Sequence, residues 1–181
     1  MMKIKLSLLT VLLTFSTIFG QSFEKLLYSK KDQATYLINK NIIANFEMIK
    51  QIPNSKIVKM EVMKSSQKGV DQNATTYPNL SEYGLILTEM TFENLQTKTQ
   101  NEIRAFLGLD SKTKIYVDGF LLMKDDYRIA TKSIKEIELI NPNEQDLNEE
   151  PVINVWTLNK EARLGSFNIQ RNKIPKKNND L

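Results

Sequence analysis

Lys114-Ile115-Tyr116-Val117-Asp118-Gly119-Phe120-Leu121-Leu122 decides how this chain is read. Ile115 to Val117 are three strand formers in succession. Asp118-Gly119 is a hairpin pair, because Gly reaches positive φ without steric cost and Asp tolerates it. Phe120 to Leu122 restart an apolar run. Further on, Ile134-Lys135-Glu136-Ile137-Glu138-Leu139-Ile140 alternates apolar and charged residues, as a half-buried strand does. Val152-Ile153-Asn154-Val155-Trp156-Thr157-Leu158 supplies a closing strand.

The same succession is present 79 residues earlier. Thr35-Tyr36-Leu37-Ile38-Asn39-Lys40-Asn41-Ile42-Ile43 falls on Lys114 to Leu122, with Asn39-Lys40 in the place of Asp118-Gly119. Lys tolerates positive φ poorly, so the first turn is expected to differ in type. After a two-residue slip, Ile57 to Met63 falls on Ile134 to Ile140, and Gly84 to Thr88 answers Ile153 to Thr157. The 79-residue shift also puts Leu26-Leu27-Tyr28 on Ala105-Phe106-Leu107; identity between the halves is low, and the match rests on these four elements in the same order.

Working outward, residues 1–20 have the layout of a secretory signal. Lys3 and Lys5 form a positive start, Leu6 to Phe19 an apolar run, and Gly20 a small residue at a cleavage point. An uncleaved anchor is the alternative. No other stretch is long and apolar enough to span a membrane as a helix. Of the chain's 25 basic residues, 23 remain without Lys3 and Lys5, against 21 acidic ones. A net +2 without a clustered basic face gives no case for nucleic acid.

The remaining elements follow from local signals. Ser22 is placed to cap a short helix carrying Phe23, Leu26 and Leu27. A second helix is expected over 45–51 with Phe46 and Ile49 inward, and Asp125 to Ile129 is expected to mirror it. Thr97 to Leu107 reads as the best helix, with Ile103, Phe106 and Leu107 inward and Gly108 as its C′ residue. An edge strand is expected around 166–169, and 171–181 reads as a disordered basic tail. Each unit, 21–92 and 93–170, is thus expected to run helix, strand, turn, helix, strand, loop, strand. That is an α+β architecture of small mixed sheets covered by short helices.

Tyr116-Val117-Asp118-Gly119, the strand at 133–140 and Val152 to Thr157 together resemble the plug domain of TonB-dependent outer-membrane receptors. There a "YVDG" strand and turn precedes a segment like "IESIEVL" and a closing strand like "GVILITT". Tyr83 to Thr88 matches that closing strand better still. The resemblance covers 114–158 well and 35–90 more weakly. It implies two plug-like units in an envelope protein of Bacteroidota type. Two departures limit it. Residues 141–151 lack the Gly-containing segment of a receptor plug, and the 23 residues after Leu158 leave no room for a barrel, which takes about eight strands. No receptor residue is carried over, and gating is not implied.

The chain has no His and no Cys. Most zinc sites, thiol nucleophiles and His-dependent triads are therefore excluded. Glu144, Asp146, Glu149 and Glu150 lack the alternation and central Gly of a calcium loop and read as a solvated loop. Asp125 and Asp126 suit a helix start, and Asp118 is explained by its turn. With no catalytic constellation, metal or cofactor indicated, the expectation is a non-enzymatic exported protein, periplasmic or outer-membrane-associated. It would act through protein contacts, with strands 84–90 or 152–158 as exposed edges that recruit a partner strand. The alternative is a small-molecule binding module with a pocket between the units lined by Tyr83, Tyr116 and Trp156.

Overall fold

The computed structural model of the chain describes residues 24–30, 32–64, 76–91, 95–142 and 148–163. The signal at 1–20, Ser22 and Phe23, the strand around 166–169 and the tail at 171–181 lie outside these residues.

Two mixed sheets of six and four strands, with a few short helices, form the described chain. In order, the strands are β1 (Thr35–Ile38), β2 (Ile42–Ala44), β3 (Ile57–Met63), β4 (Leu85–Met90), β5 (Thr97–Thr99), β6 (Ile115–Val117), β7 (Phe120–Leu121), β8 (Arg128–Ala130), β9 (Glu136–Ile140) and β10 (Val152–Trp156). The helices are α1 (Phe46–Lys50), α2 (Gln100–Phe106) and α3 (Lys160–Arg163). The larger sheet is ordered β3-β4-β1-β2-β8-β5 and the smaller β9-β10-β6-β7.

The smaller sheet has the order and directions of the first four strands of the larger. β1 runs parallel to β4, and β6 parallel to β10. β3 is antiparallel to β4, and β9 to β10. Both inner strands end in a hairpin, to β2 and to β7. The hairpins differ in length, with three residues between paired Ile38 and Ile42 and two between Val117 and Phe120. Yet both hold positive φ at two successive residues, Asn39 (47°) with Lys40 (71°) and Asp118 (51°) with Gly119 (84°). Asn39 secures the first turn by bonding Met90 twice. Its Oδ1 accepts from the Met90 N–H at 2.9 Å, and its Nδ2 donates to the Met90 carbonyl at 3.2 Å.

One apolar core is shared by the two sheets. Leu37, Ile43, Leu85 and Ile129 of the larger meet Ile115, Val117, Ile153 and Val155 of the smaller. Strand alternation sends Ile38, Ala44 and Ala130 to the opposite face, where Met48 and Ile49 of α1 cover them. Strands β5 and β8, from the later half of the chain, extend the larger sheet beyond β2.

Several local expectations give way to tertiary pairing. The helix around Phe23 to Leu27 does not form at the described residues 24–30. The Leu26 N–H donates to the Gly119 carbonyl and the Lys30 N–H to the Asp118 carbonyl, both at 2.8 Å, so the segment lies along the second hairpin. Asp125 to Ile129 is a turn followed by β8, because β2 and β5 offer it backbone partners on both sides. Residues 97–99 join β8 as β5, and the helix begins only at Gln100, with Thr99 as its cap in a capping box with Glu102. Ile103 is buried as expected and Gly108 takes φ 67°, but Phe106 is 77% exposed. Phe46 also points outward, because Met48 and Ile49 supply the buried face of α1.

Candidate functional site

A cleft of about 310 Å³ opens between the start of β1, the end of β2 and the second hairpin. Lys30, Thr35, Asn45, Asp118 and Thr157 form its polar wall. All five are buried.

Asp118 reaches this place through the hairpin geometry. Its own N–H donates to the Val155 carbonyl at 3.0 Å, which turns the carboxylate towards the end of β10. There Oδ1 accepts from the Thr157 N–H at 2.7 Å and Oδ2 from the Thr157 hydroxyl at 2.6 Å. Across the cleft, the Lys30 ammonium donates to Thr35 Oγ1 at 2.5 Å, and that hydroxyl donates to the Leu80 carbonyl at 2.9 Å. The ammonium also lies 5.8 Å from the centre of the Phe120 ring. Asn45, the cap of α1, donates through Nδ2 to the carbonyls of Thr157 and Ser133 at 2.9 and 3.3 Å.

Burial dominates the electrostatics. It pushes the Lys30 ammonium below the ordinary lysine range, against the attraction of Asp118 and Glu82. It pushes the Asp118 carboxyl up, against Lys30 and the donors of Thr157 and Leu158. With its oxygens taken by these donors, Asp118 is poorly placed to act as a general base. The wall presents a buried ammonium, a carboxylate, two hydroxyls and an amide, linked by the hydrogen bonds above, and a small polar molecule in the cleft would lie against them. No group of three or more metal-ligating side chains occurs among the described residues.

The three aromatic residues singled out from the sequence lie elsewhere, and none of them lines this cleft. Tyr116 is buried on the outer face of the smaller sheet with Leu26 and Val152. Trp156 is buried on that same face. Its Nε1 donates to Glu138 at 2.9 Å, and the Arg163 guanidinium lies 4.2 Å from its ring centre. Tyr83 packs edge-on against Phe120, with ring centres 6.2 Å apart. Asp118, in contrast, does more than its turn requires. What buries it comes from residues 39 positions later and 88 earlier in the chain, which no local pattern ties to an Asp-Gly pair.

The strands expected to be free edges are interior. β4 lies between β3 and β1, and β10 between β9 and β6. The edges of the larger sheet are β3 and β5. β3 is the longest strand among the described residues, and it exposes Val58, Met60 and Val62 at 64%, 47% and 68%. Comparison with protein-family models, curated proteins and solved structures finds no match to this chain.

Proposed function

We propose that the chain is a non-enzymatic protein exported to the cell envelope, periplasmic or outer-membrane-associated, built of two plug-like units and acting by binding other proteins. The shared strand order of the two sheets supports the two-unit organisation, and the likeness of 114–158 to receptor plugs supports the plug-like character. The observation that carries the binding role is β3. A seven-residue edge strand with three exposed apolar side chains is a template for a partner strand. In-cell crosslinking of the tagged chain in its native host, followed by mass spectrometry, is expected to recover an envelope protein joined to it. Recovery of the uncrosslinked chain alone would contradict the proposal.

The cleft favours a second reading, a periplasmic module that binds a small polar ligand beside Lys30. Sugars, short peptides and small carboxylic acids are then expected to raise the melting temperature, and Lys30→Met to remove that response. A flat thermal profile across all three classes would dismiss it.

A further inference from the structure

We propose that β3 pairs with β3 of a second copy, antiparallel, about a two-fold axis passing through Met60. This inference rests on the protein-binding role of β3 and names its partner.

The strand Ile57-Val58-Lys59-Met60-Glu61-Val62-Met63 is complementary to itself when reversed. In an antiparallel pair, facing residues share a face of the sheet, and a two-fold axis normal to the sheet makes the contact isologous. With the axis at Met60, Lys59 faces Glu61 of the second copy and Glu61 faces its Lys59, while Val58 lies at the register shift beyond this pairing. Met60 faces its own counterpart. Moving the axis to Lys59 sets ammonium against ammonium, and moving it to Glu61 sets carboxylate against carboxylate. Like charges directly opposed across strands are unfavourable, so the charge pattern selects one register.

The structure leaves this register open. β4 occupies one side of β3, and no described strand occupies the other. Register with β4 assigns Lys59, Glu61 and Met63 to the face that carries Leu87 and Leu85. Met60 and Val62 lie on the opposite face with Thr88 and Ile86. Lys59 and Glu61 already pair within the strand at 2.6 Å, both about half exposed, so each can also reach its counterpart across the axis. The register shift between Ile57 and Lys59 bends the strand at Val58. The regular ladder therefore centres on Lys59 to Glu61, flanked by the valines. Edge charges usually protect a strand from pairing. Here the two charges are of opposite sign and lie symmetrically about Met60, so they direct pairing to one partner instead.

The test is sedimentation of the purified full chain, wild type and variants. Wild type is expected at twice the chain mass. Lys59→Glu and Glu61→Lys are each expected to weaken the dimer by about tenfold, since each reverses two symmetric cross-strand pairs. The double variant, which exchanges the charges, is expected to restore it. Because the chain has no cysteine, Met60→Cys supplies the sole thiol, and mild oxidation is expected to give a disulfide-linked dimer. All these positions are exposed, so folding measured by circular dichroism should not change. A monomeric wild type, or a dimer that is indifferent to the charge reversals and that oxidation of the Met60→Cys variant fails to link, would overturn self-pairing. If β3 were then still crosslinked to an envelope protein in the host, the wider binding role would stand. Without any adduct, both would fall.

Discussion

Gly119→Ala is expected to release residues 24–30 from the second hairpin and to lower the melting temperature by about 6–12 °C, the equivalent of about 3 kcal/mol. A Cβ at this position would lie 2.4 Å from Ser29 Cα, 2.6 Å from Ser29 Cβ and 2.8 Å from the Tyr28 carbonyl oxygen. Two of these atoms belong to backbone, so no rotamer change relieves the overlap. The segment must move, and its bonds to the carbonyls of Asp118 and Gly119 go with it. Gly108→Ala separates steric overlap from backbone strain. Gly108 also has positive φ, but a Cβ added there would meet nothing within 4 Å. That substitution should cost only the left-handed conformation, about 1 kcal/mol. Equal losses for the two variants, measured by thermal circular dichroism, would show that the contact at Ser29 has no weight.

Asp118→Ala should be the most damaging polar substitution, at about 3–5 kcal/mol. It leaves the Lys30 ammonium buried without its main counter-charge and strips Thr157 of the acceptor for its N–H and its hydroxyl. Adding Lys30→Met should recover much of the loss, because removing both buried charges is far less costly than removing one. The pH dependence gives a second signature. Lys30 has a folded pKa below its unfolded value of 10.5, with burial as the largest cause. In the window between the two values the unfolded chain binds more protons, so stability rises with pH there. Loss of Asp118 takes away the strongest influence raising the folded value and widens that window downward. The deficit of Asp118→Ala should therefore shrink as pH climbs towards 10.5, whereas Lys30→Met/Asp118→Ala should lack that slope. Urea titrations across this range measure both effects.

The strand scaffold was legible in the sequence where a strand carries its own pattern, which β5 and β8 do not. Ile115 to Val117, Asp118-Gly119 and Phe120 mark a hairpin locally. The alternation in Glu136 to Ile140 marks a strand exposed on one side. Matching the two halves element by element brought together strands that do hold matching places in the two sheets. Helices were less legible. Leu26 and Leu27 have helical spacing, yet three hydrogen bonds between 24–30 and 118–121 hold that segment extended. Residues 125–130 were drawn into the larger sheet by β2 and β5, which are distant in sequence. The cleft was not legible, since Lys30, Thr35, Asn45, Asp118 and Thr157 come from five separate stretches. Strand order was not legible either. β4 and β10 carry the strongest apolar runs because they are central, and the exposed edge belongs to β3, whose mixed Lys, Met and Glu pattern reflects one free side.

Binding of another protein chain through β3 is tested most directly by site-resolved photocrosslinking in the native host. The reactive group is placed at Val62 on β3 or at Leu139 on β9, which are 68% and 46% exposed. Protein adducts are expected from position 62, formed with a second copy of the chain or with an envelope protein, and those with a second copy are expected to be lost when either Lys59 or Glu61 alone carries the reversed charge. Adducts confined to position 139, or absent from both positions, would contradict it.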